Sequence, residues 1–203
     1  MADCLGRQHT QPGGLLVIEG AAGIGKSCLS GQVLGQARQQ GIRTLYGSGD
    51  AIERTTAYFA FTRVFREVFG LPPGSTADPS EVRERLRALA IDSTDQLALL
   101  SPVLHLPLPD VGEVGEDWAT VMASRGIAEQ RQGLLIRILE RLLDHGPLLL
   151  LLEDAHWLDS ASWALLWRIR REVPRLLLVV ASRPPVAIPD PAAPPVWARF
   201  YEI

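Results

Sequence analysis

Hydrophobic and polar residues follow one another along this chain in a way that predicts alternating strands and helices. Three short runs are almost wholly apolar, namely Leu15–Ile18, Leu148–Leu152 and Leu176–Ala181, which is typical of strands buried on both faces. A fourth short strand is predicted at Arg43–Tyr46. Buried strands separated by helices form parallel sheets covered on both sides, so the pattern predicts an α/β fold.

Helical periodicity fills the segments between these strands. Helices are predicted at Lys26–Gln39 and over the aromatic-rich segment Ala57–Phe69. Asp78 is followed by a proline and has the features of an N-cap, and Asp159 is predicted to cap a Trp-rich helix. Pairs of apolar residues recur every four positions in the segment Asp117–Asp144. That spacing predicts a long helix packed along one face.

Composition narrows the class of protein. The chain has 203 residues, 47% of them hydrophobic and 21% charged, as expected for one globular domain. A net charge of −3 offers no long-range attraction to nucleic acid, and no apolar run approaches the roughly 20 residues that span a bilayer. We therefore expect a cytoplasmic protein without direct nucleic-acid or membrane partners. Two cysteines, Cys4 and Cys28, are too few for a disulfide framework.

The basic residues are strongly biased in type. Nineteen of the twenty are arginine, and Lys26 is the only lysine. Arginine carries a rigid planar fork, whereas lysine carries a compact and rotatable ammonium group. The bias therefore predicts that the position of Lys26 requires an ammonium group.

The residues around Lys26 form a phosphate-binding pattern. The segment Gly20–Ser27 reads Gly-Ala-Ala-Gly-Ile-Gly-Lys-Ser, which matches G-x-x-x-x-G-K-[ST] between a predicted strand and a predicted helix. Such a loop points backbone N–H groups and a helix N-terminus at a polyphosphate. Lys26 is expected to reach the β- and γ-phosphates, and the Ser27 hydroxyl to bind Mg²⁺. The candidate nucleotide-binding residues are Gly20, Ala21, Ala22, Gly23, Ile24, Gly25, Lys26, Ser27 and Cys28.

Two carboxylates follow directly after the most apolar strand. Glu153 and Asp154 end the run Leu148–Leu152, and adjacent carboxylates repel each other unless one faces a cation. Mg²⁺ bound to a nucleotide takes hard oxygen ligands of this kind. We interpret the pair as a Walker B motif, with a plain surface turn as the alternative. His156 follows as a secondary candidate and is more typical of a packing or orienting residue.

Taken together, these motifs resemble a known family. The string at Leu151–Asp159, Leu-Leu-Glu-Asp-Ala-His-Trp-Leu-Asp, accompanies the phosphate-binding loop and the segment Leu178–Pro184. This combination resembles the AAA-like ATPase module of STAND NTPases, found in large LuxR-type transcriptional regulators, class III adenylyl cyclases and some Ser/Thr kinases. The resemblance covers residues 14–183. It implies a sensor position at Ser182 and Arg183, where Arg183 either lies near the γ-phosphate or is solvent-exposed.

The resemblance also implies a division of roles between the acids. AAA-type ATPases usually have Asp before Glu, and here the order is reversed. By position, Glu153 holds Mg²⁺ together with Ser27, and Asp154 polarises the attacking water. Because the shorter carboxylate is a poor general base, hydrolysis is expected to be slow. The candidate catalytic residues are Lys26, Asp154 and Arg183.

The same resemblance implies the domain boundaries. Residues 1–183 are expected to form the P-loop ATPase core with an incomplete N-terminal segment. Residues 184–203, with six prolines between Pro184 and Pro195, are expected to be a loop leading into a fifth strand and lid that are missing. The fold would then be truncated at both ends. The missing strand would leave an edge of Leu15–Ile18 uncovered, which favours self-association.

The sequence favours an ATP-binding, slowly hydrolysing switch module in a larger regulatory protein, either a transcriptional regulator or a cyclase. Its cofactors would be ATP and Mg²⁺, and its partners ATP or ADP and output domains outside this chain. Two alternatives stay open. One is a small-molecule phosphotransferase with an acceptor pocket formed by Tyr46–Ala60 and the helices of Phe61–Leu100. The other is a non-catalytic nucleotide-binding interaction module.

Overall fold

Strands and helices alternate in the computed structural model, which describes residues 13–72, 74–76, 78–91, 96–106, 125–184 and 196–200. The strands are β1 (Leu15–Gly20), β2 (Arg43–Ser48), β3 (Leu148–Glu153), β4 (Leu177–Ser182) and β5 (Val196–Phe200). The helices are α1 (Lys26–Gln39), α2 (Phe59–Val68), α3 (Pro79–Ala88), α4 (Gln96–Leu104), α5 (Arg125–Leu143) and α6 (Ser160–Glu172). None of the described helices is long and apolar enough to cross a membrane.

All five strands pair in parallel, in the order β2-β3-β4-β1-β5. Alternate leucines of β3 enter two separate cores. Leu150 and Leu152 pack on one face with α2 to α6, and Leu149 and Leu151 pack on the other face with α1. Because side chains alternate between the faces of a strand, burial on both faces requires an uninterrupted apolar run. The predicted α/β fold, a parallel sheet with helices on both faces, is confirmed.

The prediction of a missing fifth strand is wrong. Residues Val196–Phe200 form β5, which pairs in parallel with β1 and places Val196 beside Leu16. The prolines obscured the short strand Val-Trp-Ala-Arg-Phe that follows them, in which three of five residues favour strands. Both edges of β1 are paired, so the physical basis for self-association through this strand is removed. The proline segment 185–195 and the predicted helical residues 117–124 lie outside the described residues.

Both predicted aspartate caps are present, and one of them also joins distant segments. Asp78 Oδ1 accepts a hydrogen bond from the Ser80 N–H at 2.8 Å, at the start of α3. Asp159 Oδ1 accepts from the Ser162 N–H at 2.8 Å, at the start of α6. The same oxygen accepts from the backbone N–H of Tyr58 at 3.1 Å. Asp159 therefore fixes the start of α2 against the start of α6.

Asp159 is expected to contribute more to stability than an ordinary cap. Replacing Asp159 with Ala removes the cap of α6 and leaves the buried Tyr58 N–H without an acceptor, which together should lower the free energy of unfolding by about 2–4 kcal/mol. Chemical denaturation measures the loss. Asp159→Asn keeps the acceptor and should recover most of it, and Asp78→Ala is the matched control because its bonds are local. Equal losses for the two alanine variants would contradict this account.

Candidate nucleotide-binding site

The carboxyl ends of the strands bring the sequence motifs to one edge of the sheet. Because the strands are parallel, these ends lie side by side. The register pairs Glu19 with Ser182 and Ser48 with Glu153. The phosphate-binding loop that follows β1, the acids at the end of β3 and the predicted sensor position at the end of β4 therefore share this edge. The sheet thus brings together segments that lie more than 100 residues apart in the chain.

Two glycines determine the backbone conformation of the phosphate-binding loop. Gly23 has φ 77° and Gly25 has φ 98°, in the left-handed region that side chains other than glycine rarely adopt. A Cβ at either position would meet no atom within 4 Å, so the requirement for glycine is conformational. Gly25 directly precedes α1 and no side chain caps this helix. The first N–H groups of α1 are thus free of side-chain caps and available to an anion.

Polar groups of the loop and of the first helical turn face outward. The Lys26 ammonium folds back over the loop, and its Nζ donates to the carbonyl oxygen of Ala21 at 2.6 Å. Ser27 and Cys28 are exposed in the first turn of α1, and the Cys28 thiol is free. Ala21 and Ala22 are exposed as well, whereas Gly20 is buried at the end of β1. Apart from Gly20, the residues predicted to bind nucleotide are thus exposed or half-buried at the end of the sheet.

Glu153 is anchored by a tyrosine on the neighbouring strand. The Tyr46 hydroxyl donates to Glu153 Oε2 at 2.9 Å. Glu153 Oε1 is buried without a hydrogen-bond partner among the described residues. The Arg63 guanidinium lies 4.5 Å from the centroid of the Tyr46 ring, a cation–π arrangement. The sequence predicted Tyr46 at the end of a strand and at the start of a possible acceptor pocket, but not this contact, because nothing local signals a partner 107 residues away.

Asp154 has a different environment from its neighbour. Its side chain is exposed, and its backbone adopts φ 49°, so the chain turns sharply after Glu153. The turn is closed by the Trp157 N–H, which donates to the Asp154 carbonyl oxygen at 2.8 Å. Gly49 packs against this turn, where a Cβ would lie 2.5 Å from that oxygen. Strand β2 must therefore be followed by glycine at this point.

His156 lies among the candidate catalytic residues. Burial lowers the pKa of its imidazole, the Asp154 charge raises that pKa, and the Arg183 and Lys26 charges lower it. These opposing effects place all three charged groups within electrostatic reach of the ring. Both ring nitrogens of His156 are buried without a hydrogen-bond partner among the described residues. Arg183 itself is exposed at the end of β4.

The residues at this edge fit a magnesium nucleotide. The loop and the start of α1 supply N–H groups for phosphate oxygens, and Lys26 supplies a positive charge. The unpartnered Oε1 of Glu153 is a hard oxygen donor of the type that Mg²⁺ prefers, and the exposed Ser27 hydroxyl is another. Fold and loop together define a P-loop NTPase.

Comparison with known proteins identifies the family. Residues 1–180 match the family described as AAA ATPase domain. The chain belongs to this family and is a nucleotide-binding module.

Curated relatives extend far beyond the matched region. The chain is 21% identical over 179 residues to adenylate cyclase type 10 from Oryctolagus cuniculus and to the same cyclase from Homo sapiens. The alignment covers 88% of this chain and 11% of each cyclase. This chain therefore corresponds to a small part of those relatives.

Tyr46, which donates a hydrogen bond to Glu153, is expected to ionise at a higher pH than an ordinary tyrosine. Burial raises the pKa of Tyr46 above its ordinary 10.0, and the hydrogen bond to Glu153 and its charge raise it further. Because the pKa of Tyr46 is higher in the folded than in the unfolded protein, its contribution to the free energy of unfolding is complete below the unfolded-state pKa. This contribution is lost as pH rises through the folded-state pKa. Tyrosinate absorbance, compared with Tyr46→Phe, should show this late titration. Glu153→Gln should lower the pKa of Tyr46 only in part, because burial is the larger cause.

A Tyr46 that ionises at its ordinary pKa while circular dichroism shows the protein folded would contradict this hydrogen bond. If Tyr46 ionises at its ordinary pKa in Glu153→Gln but not in the unmodified protein, then the carboxylate, and not burial, is the larger cause of the raised pKa.

Proposed function

We propose that this module is an ATP-binding, slowly hydrolysing switch of the STAND type within a larger regulatory protein. The observation that carries the proposal is the meeting of the phosphate-binding loop with the Glu153–Asp154 pair at one sheet edge. The similarity to adenylate cyclase type 10 supports a place beside a cyclase or another output domain. That output domain would read whether ATP or ADP is bound.

Each polar group at the edge has a role in this proposal. The loop N–H groups bind the β- and γ-phosphates, and Lys26 exchanges its bond to Ala21 for one to a phosphate oxygen. Ser27 and Glu153 hold Mg²⁺, which neutralises charge on the phosphate oxygens when bound. Asp154 accepts a proton from the water that attacks the γ-phosphorus as the bond to the leaving ADP oxygen breaks. Arg183 is the group that responds to the γ-phosphate in this proposal.

Slow hydrolysis follows from the contrast between the two acids. Glu153 is anchored by Tyr46, whereas Asp154 is exposed. An exposed carboxylate is not held in a fixed orientation toward the attacking water, so it activates that water weakly. A bound nucleotide that persists can be read by a partner domain, as in the unassisted small GTPases.

One observation supports a phosphotransferase as the second candidate. A cavity of about 820 Å³ begins at Ser48, the residue paired with Glu153, and extends along α2. It occupies the region in which the sequence predicted an acceptor pocket. ATP turnover that rises in the presence of a small acceptor, with a phosphorylated product, would support this function over the switch.

Nucleotide binding is expected to depend on the ammonium group of Lys26. Mg-ATP at 100 times its dissociation constant should stabilise the protein by about 2.7 kcal/mol, seen as a thermal shift. Lys26→Ala should lose this shift. Lys26→Arg should lose most of it, because a planar fork replaces a compact ammonium. Gln32→Ala, on the exposed side of α1, should keep it. No shift in the unmodified protein would contradict nucleotide binding.

Isosteric amides should separate the roles of the two acids. Asp154→Asn should keep the affinity for Mg-ATP and lose hydrolysis, because it removes the proton acceptor. Glu153→Gln should lose the Mg²⁺-dependence of ATP binding, because it removes a charged oxygen ligand. Titrations with and without Mg²⁺, beside a phosphate-release assay, measure both. The reverse pattern would show that the metal position lies at Asp154.

A further inference from the structure

The cavity along α2 has a chemistry of its own. It lies between Ser48 at the end of β2, one side of α2 and the turn that follows this helix. Its volume of about 820 Å³ is in the range of small-molecule sites. The apolar part of the wall is formed by Phe59, Ala60, Leu71 and Pro72, and the charged part by Arg63, Arg66 and Glu67.

Arg66 is a buried cation without a counter-charge among the described residues. Only 8% of it is exposed. Its Nη1 donates to the carbonyl oxygen of Leu104 at 2.8 Å, and its Nη2 donates to those of Pro72 and Ser75, each at 2.7 Å. Nη2 also donates to the Ser75 hydroxyl at 2.9 Å. All these acceptors are neutral, and Nε is buried with none.

Burying a charge in this way is unfavourable. No carboxylate of the described residues lies within 4 Å of the Arg66 guanidinium. A buried cation without an opposite charge is costly, and an anion beside it lowers that cost. The wall that Arg66 contributes to the cavity therefore favours a negatively charged occupant.

The two other charged groups of the cavity leave a net positive charge. Arg63 is exposed one turn before Arg66 on α2, and Glu67 is exposed beside them. Neither arginine forms an ion pair with Glu67 in the described structure. Two arginines and one glutamate give the cavity lining a formal charge of about +1. A single negative charge complements it.

We propose that this cavity is a binding site for a small organic carboxylate with an apolar body. The carboxylate lies against Arg63 and Arg66, and the hydrocarbon part contacts Phe59 and Leu71. An inorganic anion would leave the apolar wall unused, and a neutral hydrocarbon would leave the buried cation uncompensated. Only a ligand with both parts matches the whole lining.

Arg63 connects this site to the nucleotide site. Its guanidinium lies over the Tyr46 ring, and Tyr46 donates to Glu153. A bound carboxylate that draws Arg63 away from Tyr46 alters the contacts of Tyr46, and through them the position of Glu153, the acid that we assign to Mg²⁺. This coupling rests on the proposed function, and by linkage it acts in both directions. The carboxylate is thus a regulatory ligand of the switch.

The binding site is tested on the nucleotide-free protein, with benzoate as the probe and benzamide as its neutral isostere. Amide NMR spectra should show benzoate shifting residues 59–72, and benzamide leaving them unchanged. Arg63→Gln should weaken benzoate binding by about two- to fivefold, as for a partly solvated charge pair. Glu67→Gln is the matched control and should strengthen binding, because it removes the one negative charge from the lining.

Three results would overturn the site. They are equal binding of benzamide, benzoate affinities that neither variant changes, and shifts confined to the phosphate-binding loop at residues 20–27. The coupling has its own readout, which is the Mg-ATP affinity measured with and without saturating benzoate. An unchanged affinity would overturn the regulatory role. A protein that binds benzoate but no nucleotide would refute the proposed function and leave the site established.

Discussion

The parallel pairing of β1, β4 and β3 is the constraint on which the rest of the structure depends. It brings the ends of three strands to one edge and fixes which residues meet there. Hydrophobicity alone does not define the register of β3, because Leu148–Leu152 are five identical residues. The residue that ends the run does define it. Sliding β3 inward would move Glu153 between the apolar residues of the core and break its bond to Tyr46, which is unfavourable.

At this edge of the sheet, the neighbouring acids Glu153 and Asp154 have different surroundings. The turn after Glu153 requires positive φ at Asp154 and a glycine at position 49. One acid is therefore held by Tyr46 while the next faces solvent. Asp159 then ends the same segment by capping α6 and binding the Tyr58 N–H. The acidic string thus combines a candidate metal ligand with a structural cap within seven residues.

Local signals in the sequence account for most of the fold. Apolar runs predicted the three inner strands β1, β3 and β4, and capping residues predicted the starts of α3 and α6, because both signals act over a few residues. Strand β5 was missed because its pairing with β1 joins segments about 180 residues apart, after a proline-rich stretch. The Tyr46–Glu153 bond and the contact of Arg66 with Leu104 were missed for the same reason, since both join residues far apart in the chain. Such partners become neighbours only once the sheet and helices have packed.

The lifetime of bound ATP is the most direct measurement of the central claim. In a single-turnover experiment, limiting Mg-ATP labelled at the γ-phosphate is mixed with excess protein, and released phosphate is followed over time. A slow switch predicts one complete turnover over about minutes, in the range of unassisted small GTPases. Complete hydrolysis within a fraction of a second, or bound ATP that is never hydrolysed, would contradict the account.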